Sequence, residues 1–197
     1  MTTPSVTALQ PAFDALALLF LQPETLGAAS ALPAAAETIA EEAARCGAPD
    51  EVLFTKVDEI AAHAPPADLE LAQAYAKLFL GVGEKTIPLT ESVYTSADRL
   101  NCQAAQIECR RIYEDAGLEL SAGPVVPEDH LGLMLGFLAV LGLRGEEDTA
   151  RDFLGKHAAP MMQAVAAAIN EKGPEAGPYR DAATLLEAAA ALFAQKN

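Results

Sequence analysis

Apolar residues recur along this chain at steps of three and four. Val6, Leu9, Phe13, Leu16 and Phe20 share one helical face. Pro11 lies in the first turns, where its missing N–H removes no intrahelical bond. A second pattern covers residues 33–45 and stops at Gly47, a C′ residue by type. A third covers 49–63 with Pro49 at its first position, and HAPPAD breaks it. Asp68 serves as cap or first-turn acid for a fourth helix over 69–80, with Leu71, Tyr75, Leu78 and Phe79 on one side. Between Gly81 and Leu100 no period is clear, and 81–96 is expected as a long functional or flexible loop. A fifth helix is expected over 96–117, with residues 118–126 as a linker. The sixth starts at PEDH, with Pro127 as its first residue and Glu128 and Asp129 in its first turn. It is apolar nearly all round, with Leu131, Met134 or Leu135, Leu138 and Leu141 as its buried stripe, and is therefore central. A seventh, over 146–170, is expected to break near Pro160, and an eighth covers 179–195. The sum is an all-α, single-domain bundle of seven to nine helices over 1–197, without internal repeats.

Composition supports this reading. The chain is 51% hydrophobic but only 6% aromatic, and alanine, leucine and glutamate favour helix. Its net charge is −15, with 28 acids against 13 Lys and Arg, which argues against a nucleic-acid partner. The same charge favours solubility and steers cationic partners. Cys46, Cys102 and Cys109 form no CxxC pair. On one helix Cys102 and Cys109 would stand about 10 Å apart, too far for a disulfide. A reducing, cytoplasmic setting follows. No run reaches the roughly 18 apolar residues of a membrane span.

Three ionisable residues, Glu128, Asp129 and His130, stand directly before the long apolar run. They suit a helix start, a metal or acid–base pair, or the polar rim of a groove. For the metal reading, His63 and His157 have no His or acid at the spacing of an HExxH-type set. GVGEKT, Gly81 to Thr86, fails as a phosphate loop because Glu84 stands where glycine is required. No nucleophile elbow or dinucleotide loop is present. Neither a metal nor a cofactor is expected, and a binding module is favoured over an enzyme. The alternative is a helical metal- or nucleotide-dependent enzyme using Asp129 and His130.

Taken in order, the pieces resemble a known family. Tyr75-Ala-Lys-Leu78-Phe79-x-Gly81 is followed by a loop with Pro88 and Ser92-Val93-Tyr94, then Tyr113-x-x-x-Gly117-Leu118. Pro127-Glu128-Asp129-His130, Phe153-Leu154-x-x-His157-x-x-Pro160 and a final helix near Tyr179 complete the series. This resembles the chaperones of bacterial molybdoenzymes, the TorD/DmsD/NarJ type or redox-enzyme maturation proteins. The resemblance spans about Leu71 to the C-terminus. It departs from the family at Tyr75, where Trp is common, at Val82, where Pro is frequent, and at Val126, where Glu is common.

The resemblance implies an all-helical, non-catalytic protein. It would bind the apo catalytic subunit of a molybdopterin oxidoreductase, often at its N-terminal twin-arginine signal peptide. It would assist cofactor insertion and assembly before export. Guanine nucleotide or molybdopterin cofactor binding is a further, weaker implication. The site it implies comprises Tyr75, Leu78, Phe79, Pro88, Glu91, Ser92, Tyr94, Pro127, Glu128, Asp129 and His130. Leu78 and Phe79 would anchor an apolar segment, while Asp129 would accept a guanidinium.

Overall fold

The computed structural model describes residues 2–81, 86–96, 98, 100, 103–119 and 126–194. The fold is all-α, and the described residues form no strand. In chain order the helices are α1 (Gln10–Leu21), α2 (Ala31–Cys46), α3 (Glu51–Ala62), α4 (Asp68–Phe79) and α5 (Glu91–Thr95). They continue with α6 (Ala104–Asp115), α7 (Leu131–Arg144), α8 (Glu147–Phe153), α9 (Ala159–Glu171) and α10 (Tyr179–Ala194). One hydrophobic core runs through them, the short α5 adding only the partly buried Tyr94 at its edge. None of the helices is long and apolar enough to cross a membrane.

The central pair is α1 against α7. Leu131, Met134, Leu135, Leu138 and Leu141 of α7 are fully buried, as the period required. The pair is close because α7 carries glycine where α1 crosses it. A Cβ at Gly132 would lie 2.6 Å from Leu21 Cγ, and one at Gly142 would lie 2.6 Å from Gln10 Cβ. At Gly136, between them, a Cβ would meet only the Ala17 Cβ, at 3.9 Å. Moving along α7 thus moves backwards along α1, so the two helices are antiparallel and in register over three turns.

Acids from distant elements hold the starts of short helices. Glu147 accepts the N–H groups of Val6 and Thr7 at 3.0 and 2.9 Å, at the turn Thr7–Leu9. Asp68 accepts those of Gly27 and Ala29 at 2.7 and 2.9 Å, at the turn Ala28–Ser30. First-turn N–H groups have no intrahelical partner, so a carboxylate there supplies both the acceptor and the favourable charge. Asp68 therefore sits in the first turn of α4 as expected, but its side chain caps a different helix.

Three expected helix starts differ, and the first is that of the helix expected from residue 96, which begins at Ala104 as α6. Asp50, not Pro49, opens α3 by accepting the Leu53 N–H at 3.0 Å. Pro127 is not the first residue of α7. His130 is the N-cap there, its Nδ1 accepting the Gly132 N–H at 3.1 Å. The reason is tertiary, because residues 129–131 are drawn into pairing with residues 89–91. The expected break near Pro160 takes the form of a π-helical turn, Leu154–Ala158, with Pro160 in the first turn of α9. A proline ring clashes with the carbonyl four residues back, and a widened turn relieves that clash.

Candidate functional site

The sequence-predicted residues fall into two groups. Tyr75, Leu78 and Phe79 lie on α4, at the end of α1. Leu78 is buried. Phe79 packs with Phe20, Tyr75 and Tyr179 at ring-centroid distances of 5.9, 5.1 and 5.1 Å. The two tyrosine hydroxyls finish α1: Tyr75 donates to the Phe20 carbonyl at 3.1 Å and Tyr179 to the Leu19 carbonyl at 2.6 Å. Those carbonyls have no partner within the helix, so the hydroxyls complete it. Tyr75 and Phe79, both half-buried, form an aromatic joint against the core beside the buried Leu78, and the three line none of the pockets described below.

The second group forms a single knot. Thr90 and His130 make an isolated antiparallel bridge. Glu91 N–H donates to the Asp129 carbonyl at 3.0 Å, and Leu131 N–H to the Leu89 carbonyl at 2.8 Å. Within it Ser92 and Asp129 are completely buried. The Ser92 N–H donates to Asp129 Oδ2 at 2.7 Å, so Asp129 caps α5 from across the fold. Its other carboxylate oxygen, Oδ1, is buried without a hydrogen-bond partner. Tyr94 closes the loop by donating to the Pro88 carbonyl at 2.9 Å. Of the expected loop 81–96, residues 82–85 lie outside the described residues, as do Val82, Glu84 and Lys85 of GVGEKT. Its second half is ordered by this knot.

Glu128 is held by side chains of α6, and its own side chain is only 12% exposed. Its carboxylate accepts from Gln106 and from Arg110 Nε, the latter at 2.6 Å. Burial opposes its ionisation, but these two donors hold its carboxyl below the usual range. Its backbone carbonyl accepts the Tyr113 hydroxyl at 2.9 Å. Burial, partly opposed by the neighbouring Asp129, pushes the His130 imidazole down to about 4. Asp129 and His130 thus each have a backbone N–H to hold. They do not form an acid–base pair with each other.

A groove that the sequence reading did not locate opens between α1 and α7. It has a volume of about 800 Å³. Pro11, Ala15, Leu18 and Leu21 of α1 and Leu133, Gly136, Phe137 and Val140 of α7 line it side by side, with Ala31 and Ala34 of α2 flanking them. Tyr113 and Leu118 close one end. The exposed acids Asp14 and Glu119 stand on its rim. A smaller pocket next to it shares Tyr113, Leu118 and Glu119 and adds Glu128, Glu114 and Arg110. An apolar trough therefore runs into an acid-rich end. The signal for it was in the sequence, in the glycines of α7: beside Gly136 no side chain fills the space over Ala17.

The family model described as "Nitrate reductase delta subunit" matches residues 27–172, well over half of the chain. The chain belongs to the nitrate reductase delta subunit family. Comparison with curated proteins gave no match. The delta subunit family is one of molybdoenzyme maturation chaperones of the NarJ/TorD type, so the resemblance drawn from the sequence holds at the level of the family.

Proposed function

We propose that this protein is a maturation chaperone for the catalytic subunit of a nitrate-reductase-type molybdoenzyme. It grips an apolar segment near the N-terminus of the apo subunit in the α1–α7 groove. Binding, rather than turnover, is its activity, and its place of action is the cytoplasm, before the client is assembled or exported. The observation that carries this reading is the groove itself, an apolar trough with Asp14 and Glu119 at its rim and Glu128 beyond them.

A twin-arginine signal has a cationic segment followed by an apolar one. The trough suits the apolar part, in the manner of a helix laid in a groove. The acids suit the cationic part, and a carboxylate takes a guanidinium in two parallel hydrogen bonds. Net charge of −15 adds steering at long range. Asp129 has no accessible surface. Its role in this reading is to position the 89–92 segment, while exposed carboxylates meet the arginines.

Co-expression with the candidate catalytic subunit tests the proposal. Tagged chaperone is expected to capture the apo subunit, and a subunit shortened by its N-terminal segment is expected to escape. Equal capture of both forms would remove the N-terminal segment from the reading, and capture of neither would remove the client.

A further inference from the structure

The knot of residues 89–92 backs onto a second cluster that the chaperone reading does not use. Glu91 of α5, Cys109 of α6 and His157 of the π-helical turn meet in the interior, all three buried. One ligand atom from each lies within 4.8 Å of the other two. His157 Nδ1 is 3.0 Å from Glu91 Oε2. Its other nitrogen, Nε2, is buried and has no hydrogen-bond partner, and the nearest carboxylate, Glu108 Oε1, is 3.8 Å away. Asp129 Oδ1 is the other buried side-chain atom among the described residues with no partner. An unpaired polar atom in the interior is costly and asks for an explanation.

We infer that Glu91, Cys109 and His157 form a binding site for a single zinc-like divalent transition-metal ion, with His157 coordinating through Nδ1 and the Glu108 carboxylate, 3.8 Å from Nε2, orienting the ring from the other edge. The donor set of thiolate, imidazole and carboxylate is that of zinc rather than of calcium or magnesium, which take oxygen ligands. In a tetrahedral zinc site the ligand atoms stand about 3.5 Å apart, so rotamer adjustments of about 1 Å complete this one.

Charge points the same way. Glu91 lies within the cluster and Glu108 stands beside it, and carboxylates at a buried thiol and imidazole favour a dication. A bound ion deprotonates the thiol and releases its proton to solvent. The π turn is what aims His157 inward, and such turns recur at functional sites. His157 also packs on Phe153, at 5.3 Å between ring centroids, and Phe153 packs on Phe137 of the groove at 4.8 Å. An ion here would tie α5, α6 and the π turn together behind the groove wall.

The experiment is titration of the metal-free, reduced full-length protein with Co²⁺ and Zn²⁺. One equivalent of Co²⁺ is expected to bind with a thiolate-to-cobalt charge-transfer absorption, and Zn²⁺ is expected to displace it. The absorption should vanish in Cys109→Ser and persist in Cys46→Ser and Cys102→Ser. Glu108→Gln, at a half-exposed position, should weaken Zn²⁺ binding about tenfold without touching the fold. X-ray absorption of the zinc-loaded wild type reads the same question without any variant, with one sulfur at about 2.3 Å expected. No Co²⁺ uptake, an all-oxygen shell, or an absorption that survives in Cys109→Ser would overturn the inference.

Discussion

Asp129 Oδ2 accepts the Ser92 backbone N–H at 2.7 Å across 37 residues of sequence, with both residues fully buried. The bond makes an acid that looks like the start of one helix into the cap of another. Removing the acceptor leaves a buried N–H unsatisfied. Asp129→Ala is expected to destabilise the fold by about 2 kcal/mol, and Asp129→Asn, which keeps an acceptor, by less than half of that. Urea denaturation of the two variants checks the order; equal stability of wild type and Asp129→Ala would show the bond to be idle.

The glycines of α7 separate packing from propensity. Gly142→Ala places a Cβ against the Gln10 Cβ and 3.4 Å from its Cα, atoms that belong to the helix itself and cannot swing away. It is expected to lose about 1–3 kcal/mol despite the better helix former. Gly136→Ala meets only the Ala17 Cβ at an ordinary distance and is expected to gain up to about 1 kcal/mol. Thermal melts of the pair should therefore shift in opposite directions.

Acid sensitivity should trace to His130. Its folded-state value is about 4, below the 6.5 of a free histidine, because the buried ring is kept neutral. A depressed value means that its full stability is present above pH 6.5 and is lost as pH falls towards 4. The loss is on the order of 3 kcal/mol. His130→Asn keeps a capping acceptor for the Gly132 N–H and removes the titration. Stability measured from pH 7 to 4 should fall less in the variant; parallel curves would assign the acid limb to other groups. His157 has the opposite sign, since its value is raised, and its contribution is lost as pH climbs above 6.5.

The helices were legible because their apolar periods are strong, and the α7 stripe from Leu131 to Leu141 is buried where the spacing put it. What was not legible is what happens across the chain. Pro127 and Glu128 carry every local sign of a helix start, yet pairing with residues 89–91 delays the helix to Leu131. Leu78 and Phe79 look like anchors for a partner, but Tyr179, a hundred residues on, completes their aromatic joint. The groove was missed because an all-apolar helix reads as wholly buried, whereas Leu133, Gly136 and Val140 remain partly open. His157 was set aside because no His or acid stood at the spacing of an HExxH-type set; Glu91 reaches it only in three dimensions.

If acids at the groove rim receive the cationic part of the client, affinity should depend on salt and on Asp14 and Glu119. Asp14→Asn with Glu119→Gln is expected to weaken peptide binding about tenfold at low ionic strength and much less at high salt. Both residues are exposed, so the melting temperature should not move. A salt-independent affinity, equal in wild type and variant, would exclude the charged rim.

The most direct measurement is titration of a labelled peptide, the N-terminal segment of the client subunit, into wild type and Gly136→Leu. The larger side chain fills the trough from its floor. The account predicts unchanged melting and at least a tenfold loss of peptide affinity in Gly136→Leu. Undiminished affinity in a folded Gly136→Leu protein would place the client's segment somewhere other than the groove between α1 and α7.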